Sequence, residues 1–555
     1  MKFPGLFFAS AILVFVSFTP NTFPQAPVTS PAKSSGHAAC SVDNSEPTEA
    51  DKAYFHGAYK KAADLYAADY AKDHKDLHAR LGQIDSLIEL HSIINTTDDV
   101  AIKHALDDAT RLVDSWTATS ATDTHAILAA ADLRYALGDR LEAYALAVKA
   151  QAADPCLGPA YQTMAAFEES AGYRVTARKH LNTAHQLSPK NMDIRFDWIY
   201  SLDFDHALEE LKKYYDEVKD IPEKRRKALL DRLARIQAEK DDRCELVSSN
   251  GPAIIPMVPL SGRGSIGIRS YGINVSFGGK TRTLRIDTGA SGLLLSKSAS
   301  GGLGLVKVDT ARVGGFGDEG ANSSLISNAP SVEIGDLKFK NCLTASLANF
   351  SVLGGGGLDE KLDETDGLIG PNLFERYLVT LDYVKHEIHL DPLPKRPETA
   401  GETFDPLGGS NNPEFMVVDR TIDPSLNKWT KIYRDDHLLL IPTIIDSKRH
   451  LFIADSGADS NLIDTDFART ITTVKDSIMV SRGLSGTTNK MYETGGFTMD
   501  FAGLRLPIKG MDAQDLSRFE GVSGFIGYPT LEQLVMHIDY RDNLMLMEAP
   551  GAGKK

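Results

Sequence analysis

Leu284-Arg285-Ile286-Asp287-Thr288-Gly289-Ala290-Ser291 has a counterpart later in the chain, Leu451-Phe452-Ile453-Ala454-Asp455-Ser456-Gly457-Ala458-Asp459. Each stretch is a strand-like run ending in Asp, a hydroxyl residue, Gly and Ala. The tripeptide alone is weak evidence, because many strands leave a sheet through such a turn. Its surroundings are repeated too. About 70 to 80 residues onward come Gly367-Leu368-Ile369-Gly370 and Gly524-Phe525-Ile526-Gly527. A short helix-like stretch follows each, Asn372 to Arg376 and Thr530 to Gln533, and then a strand, Leu381-Asp382-Tyr383 and Ile538-Asp539-Tyr540. Gly370 to Asp382 and Gly527 to Asp539 span the same 12 positions. The chain therefore holds two copies of one β-rich unit.

Working outward, the composition from about residue 250 is that of short strands. Ile273, Val275 and Phe277 alternate, Gly278-Gly279 turns, and Thr283 to Ile286 returns, which is the pattern of a hairpin. A Pro/Gly/Asn-rich stretch, Pro392 to Pro413, separates the two copies. Between each Asp loop and its Gly-Leu-Ile-Gly counterpart lies a glycine-rich segment: Val313-Gly314-Gly315-Phe316-Gly317 in the first copy, Arg482-Gly483-Leu484-Ser485-Gly486 in the second. These read as hinged flaps over a cleft or as ordinary hairpin turns. Gly354 to Gly357 lacks the strand–Gly–helix context of a phosphate cradle and reads as a loop.

Before residue 245 the pattern is helical, rich in Ala, Leu, Lys, Glu and Asp. Gly138 and Gly172 lie 34 apart, as do Ala143 and Ala177, Ala150 and Ala184, and Pro155 and Pro189. Each set supplies a tight turn, small residues where helices approach, and a stop. Gly57, Tyr59 and Ala62 begin the same pattern earlier. A period of 34 with this chemistry resembles tetratricopeptide repeats (TPR). Asp205 to Lys240 reads as the closing helices. Such a solenoid presents a concave surface to a protein partner; the alternative is a plain helical spacer. Residues 20–50, rich in Pro, Ser, Thr and Ala, read as a disordered linker.

At 555 residues the chain should hold two to four domains. A formal charge of −15 argues against nucleic-acid binding. Lys2 followed by apolar Gly5 to Phe18 reads as a secretory signal, too short for a comfortable membrane span; the alternative is an uncleaved anchor. The four cysteines, Cys40, Cys156, Cys244 and Cys342, form no zinc pattern, and in an oxidising compartment they allow three pairings. His74 and His78 share a helix face without a zincin glutamate and read as surface residues.

The two half-sites resemble the lobes of retropepsin-like and pepsin-like aspartyl proteases, roughly over 260–395 and 435–550. The whole resembles bacterial secreted proteins joining such lobes to N-terminal TPR repeats. The implied fold is an N-terminal α-solenoid followed by two mainly-β acid-protease lobes. Its organisation would be a signal peptide (1–26), a disordered linker (27–50), a TPR-like domain (51–245), lobe 1 (255–395), an interlobe linker (396–434) and lobe 2 (435–550). The resemblance implies an aspartic endopeptidase with Asp287 and Asp455 as the catalytic pair, sharing a proton and activating a water. Thr288 and Ser456 would hydrogen-bond across the lobes, and Gly289 and Gly457 would let the loops turn beside substrate. Ala290, Ser291, Ala458, Asp459, Gly315, Phe316, Gly483 and Leu484 would contact substrate. Ala290 and Ala458 stand where pepsin-like enzymes often carry a hydroxyl, so the dyad should titrate higher and the optimum be mildly acidic. Asp459 resembles the second Asp of retroviral Asp-Gly-Ala-Asp, which holds substrate backbone. No cofactor, metal, nucleic acid or stable membrane span is implied; the partners are a polypeptide substrate and a protein on the solenoid, in a secreted or periplasmic setting. The alternatives are a non-catalytic scaffold of degenerate lobes, and lobes that pair between chains.

Overall fold

The computed structural model describes residues 40–92, 104–217, 227, 230, 244–248, 251–261, 268, 270–313, 322–347, 365–395, 419–420, 422–435, 437–482, 488–516, 519 and 521–551. The segments expected as signal and as flap tips, with Gly315, Phe316, Gly483 and Leu484, and most of the expected N-terminal linker lie outside them.

Ten helices among the described residues, Glu49–Phe55 to Phe204–Glu217, form the first part. They are joined as hairpins, for example Thr124–Ala136 with Arg140–Ala153 and Gly158–Ser170 with Arg174–Leu187. The hairpin turns place Gly57, Gly138 and Gly172 at φ of 74°, 83° and 87°, a region glycine enters without steric cost. Ala143, Ala150, Ala177 and Ala184 are all buried, so methyl groups line the seams where helices meet. The second helix of each hairpin ends at Ala153 or Leu187, two residues before Pro155 or Pro189.

The rest is built from β-sheets. Ser270–Phe277 and Lys280–Ile286 pair across Gly278-Gly279, both at positive φ, as a two-residue hairpin. In the first lobe, Gly367–Ile369 runs parallel to Leu284–Ile286 and antiparallel to Leu293–Leu295. In the second, Gly524–Gly527 runs parallel to Phe452–Asp455, and Gly524-Phe525 antiparallel to Leu462-Ile463. The apolar Gly-Leu-Ile and Gly-Phe-Ile runs are thus central strands with hydrogen-bonded neighbours on both sides, which is why they are apolar throughout. A six-stranded sheet is shared between lobes: Tyr377–Asp382 of the first pairs antiparallel with Val535–Asp539 of the second. The two halves therefore meet in one chain through a continuous backbone ladder.

Strand pairing begins at Glu245–Leu246, which pairs with Leu337–Leu347, and continues with Ala253–Pro256 against Glu387–Pro392. Cys244 is bonded to Cys342, and Cys40 to Cys156. Within the stretch expected as interlobe linker, Thr430–Lys431 and Tyr433–Asp435 join the sheets, the latter pairing with Leu438–Ile445.

The solenoid rests on the second lobe. Phe167 and Ala171 belong to one buried cluster with Tyr433, Leu440, Leu451, Ile453, Leu462 and Phe525. Asp419 caps the helix Arg174–Leu187, accepting from the Val175 and Thr176 amides and the Thr176 hydroxyl at 3.0, 3.1 and 2.7 Å. Asn543 Nδ2 donates to the Ser170 carbonyl at 3.0 Å. Gly138 meets Gly521 so closely that a Cβ on Gly138 would lie 2.3 Å from the Gly521 carbonyl oxygen.

Candidate active site

Each catalytic-type loop leaves the end of its strand and folds under its apolar partner strand. The Asp287 amide donates to the Ile369 carbonyl at 3.0 Å, and the Gly370 amide to the Gly292 carbonyl at 2.9 Å. A Cβ at Gly370 would lie 2.1 Å from the Ala290 carbonyl, and one at Gly527 2.3 Å from the Ser460 carbonyl. The glycine ending each apolar run is therefore demanded by the loop packed on it.

The two loops interlock. The Thr288 amide donates to Ser456 Oγ at 3.0 Å, and the Ser456 amide to Thr288 Oγ1 at 2.9 Å. Thr288 Oγ1 donates to the Ala454 carbonyl at 2.7 Å, and Ser456 Oγ to the Ile286 carbonyl at 3.1 Å. All of these groups except the backbone are on buried side chains, so each hydroxyl uses its donor and an acceptor site with no water required.

Asp287 and Asp455 face one another within this frame, 9% and 8% exposed, their carboxyls joined by a hydrogen bond. Each also accepts an amide from its own loop: Gly289 N–H to Asp287 and Gly457 N–H to Asp455, both at 2.8 Å. Each glycine lies against the opposite carboxyl. A Cβ on Gly289 would sit 2.9 Å from Asp455, and one on Gly457 2.4 Å from Asp287. Burial pushes both carboxyls above the ordinary range; for Asp455 the negative charge of Asp287 adds to it. For Asp287, Arg285, the Gly289 amide and the bond to Asp455 pull the other way. The largest cause for both is burial.

Of the other residues, Ala290 is buried, Ala458 half-buried and Ser291 exposed, its Oγ accepting from Asn372 Nδ2 at 3.4 Å. Asp459 keeps 43% of its side chain exposed and accepts from Arg285 Nη2 at 2.8 Å. The arms of both flap hairpins are strands: Val306–Val313 with Asn322–Ile334, and Val474–Arg482 with Thr488–Thr494.

Three neighbours of the dyad were not singled out from the sequence. Arg285 is fully buried, two residues before Asp287. A charge inside an apolar strand was the available signal. His437 places Nε2 3.0 Å from the Gly289 carbonyl across 148 residues of chain, which nothing local announces. Tyr383 is buried behind the loops near Ser456, its phenol pushed up to about 12 by burial.

Residues 273–373 match the family model described as aspartyl protease. Among solved structures, an aspartic proteinase from Irpex lacteus is similar over 54% of this chain and 97% of that one, at 13% identity and a TM-score of 0.30. A thermophilic TPR protein in Thermus thermophilus is similar over 33% of this chain and 95% of that one, at 13% identity and a TM-score of 0.24. No curated protein matches. The family match thus covers most of the first lobe.

Proposed function

We propose that the chain is an aspartic endopeptidase whose dyad is Asp287 and Asp455. The observation that carries this is the reciprocal closure of the two loops, in which each lobe's hydroxyl binds the other's backbone and each glycine clears room for the other's carboxyl. The pair titrates as a unit. Asp287, beside a buried cation and two donors, is the member that holds the negative charge; Asp455 holds the proton. A water between them loses a proton to Asp287 as its oxygen attacks the scissile carbonyl carbon, and Asp455 protonates the carbonyl oxygen. Collapse of the tetrahedral species breaks the C–N bond, with the proton passing to the leaving amine, so one peptide and one water give one acid and one amine. No covalent intermediate is needed. The hairpins Val306–Val313/Asn322–Ile334 and Val474–Arg482/Thr488–Thr494 serve as flaps, and the substrate contacts are those expected above.

The solenoid, fixed to the second lobe, serves as a protein-binding surface beside the peptidase. Two disulfides support an oxidising, secreted or periplasmic setting, and no described helix is long and apolar enough to cross a membrane.

Cleavage of an unfolded protein between pH 3 and 8 tests this, with Asp287→Asn and Asp455→Asn as controls. Cleavage by the wild type alone supports the reading. A wild type silent at every pH supports a non-catalytic scaffold, and cleavage that survives either substitution removes the dyad.

A further inference from the structure

The two lobes differ at two positions flanking an otherwise repeated loop. Two residues before the aspartate stands Arg285 in the first lobe and Ile453 in the second, both fully buried. Four residues after it stands Ser291 in the first and Asp459 in the second. Arg285 makes its ion pair outside its own lobe. Its Nη2 crosses to Asp459 Oδ1 at 2.8 Å. The opposite diagonal, Ile453 towards Ser291, carries no charge. One diagonal of a pseudo-symmetric site is thus ionic and the other is neutral.

We propose that Arg285 and Asp459 form a cross-lobe polarising pair: Arg285 is a positioning residue that makes Asp287 the charged member of the dyad, and Asp459 is its counter-ion before it is a substrate contact. The reasoning begins with burial. A guanidinium with no solvent exposure cannot be screened by water, so its field acts on whatever lies near. Arg285 stands two residues before Asp287 at the end of the strand Lys280–Ile286, so the two side chains fall on one face, and the field lowers the proton affinity of both dyad carboxyls. Asp459 is the nearest opposing charge and offsets part of it. The other titratable groups facing the dyad are His437, against the Gly289 carbonyl, and Tyr383, held neutral behind Ser456. His437 is not a member of the pair, and Tyr383, which Arg285 pulls downward, stays neutral and only moves further up when that cation is removed.

The position also assigns a second duty. An ion pair spanning the lobes forms only when the two loops are docked, so the cation is neutralised and the dyad polarised in the same closed arrangement. The apolar diagonal has no such dependence. A subsite read on the Asp459 side is therefore coupled to Arg285, whereas the Ser291 side is not.

The inference rests on the peptidase reading for its activity arm only. The experiment compares wild type, Arg285→Met, Asp459→Asn and the double variant. Two readouts are taken: the pH profile of cleavage of an unfolded protein, and the dyad carboxyl titration followed by carbon NMR of labelled aspartate. Removing the cation should move the profile and the dyad titration upward by about one pH unit, at the low end of what an adjacent opposite charge does. Removing the counter-ion while keeping the cation should move both downward by less. The double variant should lie between. Opposite shifts support the pair. Shifts in the same direction, or none in folded protein, overturn it, since a merely structural contact would be lost equally from either side. If Arg285→Met fails to fold, Asp459→Asn alone decides by the sign of its shift. If no form cleaves but the NMR shifts are opposite, the pair stands and the peptidase reading fails.

Discussion

The two lobes are most alike where they meet and least alike where they face outward. At the loops the repeat is close: Asp287-Thr288-Gly289-Ala290 and Asp455-Ser456-Gly457-Ala458 exchange equivalent bonds. Behind them the lobes diverge. The second lobe buries Leu451, Ile453, Leu462 and Phe525 in a cluster completed by the solenoid's Phe167 and Ala171. The corresponding cluster of the first lobe, Ala290, Leu294, Leu347 and Leu368, is small and closed by its own residues. The first lobe is instead tied by Cys244–Cys342. A duplicated unit can thus keep its loop geometry while each copy finds its own means of stability. The shared constraint is at the dyad, where one carboxyl, one hydroxyl and one glycine must come from each side.

The largest expected effect breaks that equality at its centre. Asp287→Asn and Asp455→Asn should each cost at least about a hundredfold in cleavage rate, since each removes a general acid or base. If one lobe alone did the chemistry, only one of the two would matter. The next effect contrasts the outer faces. Phe167 is buried, stacks on Tyr144 at 4.5 Å and meets Tyr433 edge-on at 5.7 Å. Phe167→Ala should destabilise by about 3 kcal/mol, and hydrogen exchange should show the second lobe's amides beneath the solenoid losing protection first. A second lobe that keeps its protection would mean the solenoid is an appendage. A smaller effect sharpens the comparison of the glycines. Gly457→Ala places a methyl 2.4 Å from Asp287, whereas Gly289→Ala places one 2.9 Å from Asp455. Both should slow cleavage, and Gly457→Ala more, by about tenfold over the other, because a displaced reacting group is costly.

Much of this architecture was legible because it is encoded locally and twice. A turn needing positive φ asks for glycine, so Gly57, Gly138 and Gly172 marked the helical hairpins. A strand packed beneath a loop asks for an apolar run ending in glycine, so Gly370 and Gly527 marked the sites. What was not legible arises between distant segments. His437 reaching Gly289, Asp419 capping the helix from Arg174, and Arg285 finding Asp459 each depend on the docking of separately folded units. No period or motif encodes that. Arg285 was partly visible, as a charge in an apolar strand, but its partner was not. The cysteines illustrate the same limit: their pairing as Cys40–Cys156 and Cys244–Cys342 required the fold.

The smallest expected effect concerns acid. Five residues before the aspartate the first lobe has Arg282, a permanent cation, and the second has His450. The His450 ring lies tilted against Phe467, centroids 4.1 Å apart, and its Nδ1 meets Ser523 Oγ at 3.3 Å. Burial, and then the nearby Lys448, hold its imidazole down at about 4, below the usual 6.5. The sign follows from linkage. Between those values the unfolded chain takes up a proton that the folded lobe refuses, so stability is fully present above pH 6.5 and is lost as pH falls towards 4. Because the ring is partly open to solvent, the loss should be about 1 kcal/mol. It arises in the second lobe. His450→Gln should therefore flatten the acid limb of the protein's melting temperature; an equal acid loss in the variant would place the sensitivity elsewhere. The same direction bears on function. Burial raises the dyad above the ordinary carboxylate range, and His450 makes the second lobe less stable in strong acid. The two effects come from different groups; an activity maximum below about pH 3, the regime set by pepsin-type dyad values, would contradict the raised dyad, whereas the His450 effect is read from stability alone.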